Sequence, residues 1–344
     1  MSDSNLPPHA NICLIICDPT KEEFIDSYGN ITNLFTNLYT KLLLRLTREP
    51  SSLLPMVLKS FRIHPYNVVQ DNFPDIKTID QFDSILVSGS ANGVNDPDQW
   101  IEKLGKLLHT VATDHPKVKL MGVCFGHQII SKAVLGLPVG ENPKGWEIGP
   151  YEVNLNETGK QLFENHEHLN VSMFHHDAVF TRSQLAFFDE LVETTPYSSN
   201  VPQNEYKIWA STPATANQGV ISMNKQAAKS GRLNVDDIHI FTTQGHPELN
   251  QGMTSYLVDL FEHELGADVA AEARKRIADF KGILDWFQLS IVMWALTTKH
   301  SLSLPQLSEK INGYESAVKG VEKSGGFKAE AALMEEEKVF VLIT

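Results

Sequence analysis

The segment Lys119-Leu120-Met121-Gly122-Val123-Cys124-Phe125-Gly126-His127-Gln128 constrains the fold of this 344-residue chain more than any other. An apolar run leads into Gly-x-Cys-x-Gly, and the apolar stretch Ile129 to Leu135 that follows reads as a helix. A strand turning sharply into a helix, with a cysteine at the corner, is the thiol form of the nucleophile elbow; its flanking glycines make room for a strained turn. Such a turn lifts the Cys124 side chain off the sheet and sets the sulfur at a helix N-terminus, where unpaired N–H groups and the dipole favour a thiolate. The Phe125 N–H would then point at a developing oxyanion. A buried structural cysteine is the competing reading. The two glycines weigh against it, because an ordinary core position needs no such steric relief.

The surrounding pattern supplies a sheet for that elbow. Asn11 to Cys17 is continuously apolar and β-branched, the signature of a strand covered on both faces in a parallel sheet. In the next segment Ile31, Leu34, Phe35, Leu38 and Leu42 fall at helical spacings and form a core-facing stripe. Thr47 to Pro55 breaks the pattern, and Phe61 to Val69 and Phe82 to Val87 read as further strands, the latter ending in the Gly-containing turn Ser88 to Gly93. Trp100 to Val111 is helical and Val118 to Val123 is a strand. The second half is richer in β-type runs, at Tyr151 to Leu155, Val171 to Phe174, Lys207 to Ala210, Gly219 to Met223 and Ile238 to Phe241. Strands alternating with helices predict an α/β fold, a doubly wound and mostly parallel sheet with flanking helices, whose active site lies beyond the carboxyl ends of the strands.

A thiolate nucleophile needs a base and a group to orient it. Thr242-Thr243-Gln244-Gly245-His246-Pro247-Glu248 directly follows the apolar strand Ile238 to Phe241. Residues two apart in extended chain project to the same side, so Glu248 can hold one imidazole nitrogen of His246 while the other faces the sulfur. Taken alone, a histidine near a strand end is more often a satisfied or surface residue; a cysteine elbow together with His-x-Glu is harder to dismiss. Cys13 and Cys17 lack any such setting and read as core or strand-end residues.

Composition narrows the partners. The chain has 42 Asp and Glu against 29 Lys and Arg, a formal charge of −13, which repels nucleic-acid backbones and anionic membranes. The longest apolar run, Trp286 to Leu296, is too short to span a bilayer. Three cysteines with no zinc or redox spacing fit a reducing cytoplasm. His166-Glu167-His168 and His175-His176-Asp177 invite a metal, but nothing nearby completes a ligand set. Ser88 to Gly93 lacks both the P-loop ending and a dinucleotide-turn spacing. Neither a cofactor nor a metal is expected.

Gly122 to Gln128 together with Gly245-His246-Pro247-Glu248 resembles the class I glutamine amidotransferase domains, the triad-type glutaminases, over about Asn11 to Leu265. Within that family, Lys144-Gly145-Trp146-Glu147-Ile148-Gly149 and His175-His176-Asp177-Ala178-Val179 are most similar to the stand-alone γ-glutamyl-peptidase-like branch. The resemblance implies a flavodoxin-like fold with Cys124 as nucleophile, His246 as base and Glu248 as its orienting carboxylate. It implies oxyanion N–H groups at Gly89 and Phe125, and Gln128 on the α-amino-acid end of the substrate. His175 and Asp177 fall near the pocket rim, where substrate contact and structural hydrogen bonding explain them equally well. Ser88-Gly89-Ser90 stands where the family often has Gly-Gly-Pro, a version shared by the peptidase-like branch.

The organisation expected is a flexible N-terminus at 1–10, the amidotransferase-like domain at 11–265, a terminal helix at 266–284 and an extension at 285–344. The extension, with its Ser324-Gly325-Gly326 break, either packs on the domain or a partner, or is a poorly defined chain end. The implied activity is cysteine-dependent hydrolysis of γ-glutamyl amide bonds, in glutamine or in γ-glutamyl peptides of the glutathione type, through a γ-glutamyl thioester on Cys124. Two alternatives stay open: a glutaminase subunit supplying ammonia to a partner synthase, and a non-catalytic scaffold on the same fold. The residues after Leu265 are too few for a fused ATP-dependent synthase domain.

Overall fold

The computed structural model describes residues 10–18, 20–47, 60–164, 166–181, 206–223, 233 and 235–298. The expected N-terminus up to residue 9, most of the break after Thr47 and the extension beyond residue 298 lie outside the described residues.

The first half builds β1 (Ala10–Ile16), β2 (Phe61–Asn67), β3 (Ser84–Val87) and β4 (Lys119–Val123), and the second half contributes β11 (Ile238–Thr243). These five pair in parallel in the order β2-β1-β3-β4-β11. The sheet continues through β10 (Gly219–Met223), β9 (Tyr206–Ser211), β6 (Glu147–Leu155) and β7 (His168–His175), paired antiparallel. The nine-stranded mixed sheet, flanked by helices, is the expected α/β class, and its β-rich second half is the antiparallel part. A separate pair, β5 (Val139–Glu141) with β8 (Asp177–Val179), stands beside it.

Burial explains the unbroken apolar strands. Successive residues of a strand point to opposite faces. Ile12 and Leu14 pack on one side with Phe35, Leu38, Tyr39 and Leu42 of α2 (Ile31–Thr47). Cys13 and Ile15 pack on the other with Leu104 and Leu108 of α3 (Gln99–Asp114) and Ile129 and Ile130 of α4 (Phe125–Ala133). Before α2 lies the short α1 (Glu22–Tyr28). The helix after the elbow starts directly at Phe125, four residues earlier than the apolar stretch at Ile129 suggests. The strand expected at Tyr151 starts at Glu147, because β7 continues the ladder down to His175. Between them, α5 (Glu157–Leu162) is capped by the Asn156 side chain, which accepts from the Thr158 and Gly159 N–H groups.

After β11 come α6 (Gln251–Leu260), α7 (Glu262–Leu265) and α8 (Ala267–Asp279), the last where a terminal helix was expected. The longest apolar run forms α9 (Trp286–Thr298). It is apolar nearly all round, which demands burial on every side. It packs against α2 and β1, with the Trp294 ring 5.7 Å from Tyr39 and 6.1 Å from Phe61. The Asp285 N–H donates to the Asn170 carbonyl and the Asn170 N–H to the Asp285 carboxylate, both at 2.7 Å, which pins the start of α9 to β7. Among the described residues no helix is long and apolar enough to cross a membrane.

Candidate active site

Strands β3, β4 and β11 are neighbours in the parallel half, and their carboxyl ends carry Gly89, Cys124 and His246 in the segments that follow. Cys124 sits between β4 and α4 with φ 53° and ψ −108°, a left-handed backbone that costs a non-glycine residue on the order of 1–3 kcal/mol. Two backbone bonds hold it: its N–H donates to the Thr243 carbonyl at 2.9 Å, and its carbonyl accepts from the Gln128 N–H at 3.1 Å. The flanking glycines are needed for contact rather than for dihedral freedom. A Cβ at Gly122 would collide with the backbone of Gly126, and one at Gly126 with the Val87 carbonyl. The elbow therefore presses α4 directly onto β3. The Phe125 ring is buried against Trp100, and its N–H opens the helix, where the first amides have no intrahelical acceptor.

His246 leaves β11 through Gln244 and Gly245, and its N–H donates to the Ser172 carbonyl at 2.8 Å, tying the loop to β7. Its Nδ1 donates to Glu248 Oε1 at 2.7 Å, as the His-x-Glu spacing predicts. A Cβ on Gly89 would lie 3.1 Å from His246 Cε1 and 3.6 Å from Cys124 Cβ, so the three residues converge. Burial disfavours the charged imidazolium, but the Glu248 carboxylate and the Cys124 sulfur outweigh it and hold the His246 pKa up at about 10.

The Gly89 loop is fixed by its neighbour. The buried Ser88 hydroxyl accepts from the Cys17 N–H at 3.0 Å and donates to the Gly89 carbonyl at 2.9 Å. Cys13 and Cys17 are buried, and burial raises both thiols far above the ordinary range, so both stay protonated.

Gln128 lies on α4, almost fully buried, its amide nitrogen donating to the Asp177 carbonyl at 3.0 Å and to Gln244 Oε1 at 3.2 Å. The His175 ring is buried as well, with Nδ1 on the Asp177 carbonyl at 3.0 Å and Nε2 3.1 Å from Glu147 Oε2. The Asp177 carboxylate points the other way, toward Gly93 and Asp96; burial first, with Glu141 and Asp96 adding, raises its pKa. The sequence reading missed several residues around this site: Ser88, His127, Glu147, Thr212, Thr215, Gln218 and Gln244. Glu147 lay inside the Lys144–Gly149 motif, but nothing in that segment marked it as a partner of distant residues.

Residues 56–262 match the model of the family described as glutamine amidotransferase class-I. The chain belongs to the class I glutamine amidotransferase family. A glutamine amidotransferase-type protein of Saccharomyces cerevisiae is 32% identical over 234 residues, 66% of this chain and 74% of the relative. Gamma-glutamyl peptidase 5 of Arabidopsis thaliana is 39% identical over 90 residues, 26% of this chain and only 35% of that peptidase. Among solved structures, a glutamine amidotransferase from Methylobacillus flagellatus has a TM-score of 0.53 at 15% identity, covering 87% of this chain and 97% of that one. At that identity the likeness concerns the fold alone. It agrees with the mixed sheet flanked by helices.

Proposed function

We propose that this class I glutamine amidotransferase is a cysteine hydrolase of γ-glutamyl amide bonds. The observation that carries the reading is the His246–Glu248 pair, 2.7 Å apart, with the imidazole and the strained elbow cysteine converging beside Gly89. The Cys124 thiolate attacks the γ-carbonyl, and the Phe125 and Gly89 N–H groups receive the oxyanion. His246, as imidazolium, donates a proton to the leaving amine, and a γ-glutamyl thioester remains on Cys124. His246 then takes a proton from water, the hydroxide attacks the thioester, and glutamate leaves as the thiolate–imidazolium pair is restored. Glu248 keeps Nδ1 protonated and the ring oriented throughout. Gln128 stands on the α-amino-acid side of the substrate, with the Asp177 segment forming the wall against it. Three free, buried thiols fit a reducing cytoplasm.

The test is release of glutamate from glutamine and from glutathione-type γ-glutamyl peptides by the full chain, beside Cys124→Ala. Release by the wild type alone supports the reading, and the better substrate names the leaving group. No release from any substrate, with no labelling of Cys124 by a glutamine-like electrophile, leaves the scaffold alternative. Activity that appears only on adding a second protein makes the chain a glutaminase subunit.

A further inference from the structure

A buried carboxylate, Glu147, stands behind the site. Glu147 is 1% exposed, and its oxygens accept from Thr212 Oγ1 at 2.6 Å, Thr215 Oγ1 at 2.7 Å and Gln218 Nε2 at 2.7 Å. His175 Nε2 lies 3.1 Å from Glu147 Oε2, both side chains equally buried. Burial alone would raise the Glu147 pKa, but His175 and the two threonine hydroxyls reverse it and hold the carboxyl below its ordinary range. The buried His127 beside this network is driven down to about 3, by burial first and then by His175, and stays neutral.

The circuit closes on the proposed machinery. His175 Nδ1 and Gln128 Nε2 both donate to the Asp177 carbonyl, each at 3.0 Å. Gln128 also donates to Gln244 Oε1, and the Gln244 N–H donates to the carbonyl of Gln218, which itself binds Glu147. One residue before His175, the Phe174 carbonyl lies 3.7 Å from Cys124 Sγ. The chain from Phe174 to Asp177 is thus a wall of the site, held from behind by one buried carboxylate.

We propose that Glu147 is a positioning residue: through His175 it fixes the Phe174–Asp177 turn, which sets Gln128 and the carbonyl wall against Cys124. This inference rests on the γ-glutamyl hydrolase reading for its kinetics, but its structural half stands apart from it. A carboxylate is suited to the task because it accepts from several donors at once, and charge-assisted bonds are roughly twice as strong as neutral ones. A buried network that loses one member leaves the rest unsatisfied.

The experiment compares wild type with Glu147→Gln, with Thr215→Val, which removes one donor to the carboxylate, and with Val153→Ala as a control elsewhere on β6. A γ-glutamyl p-nitroanilide reports kcat/KM, iodoacetamide reports the Cys124 thiolate, and amide hydrogen exchange reports the turn. Glu147→Gln is expected to lose about 10²-fold in kcat/KM, the scale of a misplaced site. Its iodoacetamide rate should stay near wild type and its exchange should quicken at Phe174–Asp177. Thr215→Val should show a smaller loss in the same direction, and it carries the test alone should Glu147→Gln fail to fold. Wild-type kcat/KM and exchange in the folded variants would overturn the proposal. So would a loss that iodoacetamide and Val153→Ala share, which marks a general weakening of the fold. An inactive wild type refutes the hydrolase reading instead, and exchange at the turn then decides the inference by itself.

Discussion

Replacing Glu248 with glutamine isolates the charge in the His246 pair. The substitution keeps the side-chain length and an oxygen that can accept from Nδ1, and removes a negative charge 2.7 Å away. Burial opposes the imidazolium, so the rise of the His246 pKa from 6.5 to about 10 is owed to Glu248 and Cys124 acting against it. At about 1.4 kcal/mol for each tenfold change in proton affinity, that rise amounts to ~5 kcal/mol. The Glu248 charge heads the influences that raise it, so Glu248→Gln is expected to lower the His246 pKa by about 2, ~3 kcal/mol. If the transition state needs the same imidazolium, kcat/KM falls about 10²-fold. The assay is NMR titration of isotopically labelled histidine in wild type and variant, paired with γ-glutamyl hydrolysis at fixed pH. A His246 midpoint that moves by less than about 0.5 would refute the electrostatic reasoning, whatever the activity does.

The same pair sets a pH dependence of stability. The folded pKa of His246 lies above its ordinary value, so the contribution is fully present below pH 6.5 and is lost as pH rises through about 10. The difference in thermal unfolding temperature between wild type and Glu248→Gln should therefore shrink across that window; a constant difference contradicts it. Gly126→Ala drives a Cβ into the Val87 carbonyl, and β3 cannot retreat because it is paired on both sides. A loss of ~3 kcal/mol or more in urea unfolding is expected, and an unchanged midpoint would show that the elbow tolerates the contact. Trp294→Ala removes a buried ring packed tilted against Tyr39 and edge-on to Phe61, for ~3–5 kcal/mol. Ile283→Ala, 79% exposed just before α9, should change unfolding by no more than about 0.5 kcal/mol.

What the sequence discloses depends on how far apart the cooperating residues lie. β1, β4 and β11 are legible because burial on both faces leaves short, mainly apolar runs, a property of a few consecutive positions. Cys124, His246 and Glu248 are legible for the same reason: an elbow needs its glycines two residues away, and a histidine is oriented by a carboxylate two residues on. α9 escapes assignment as a helix because burial all round erases the 3.6-residue period. The first half of β6 escapes because Glu147, Gly149 and Pro150 are poor strand formers, and only pairing with β7 keeps them extended. Glu147 and its donors are harder still. Thr212, Thr215 and Gln218 lie 65 or more residues from it and are unremarkable where they stand. Their partnership exists only because β9, β10 and β6 belong to one antiparallel half-sheet, so no local pattern can announce it. In the proposed reaction the local motif supplies the reacting atoms, and the antiparallel half of the sheet supplies the wall behind them. On the proposed mechanism, a chain with the elbow and the His-x-Glu intact but without that wall keeps its nucleophile and loses its hold on the substrate.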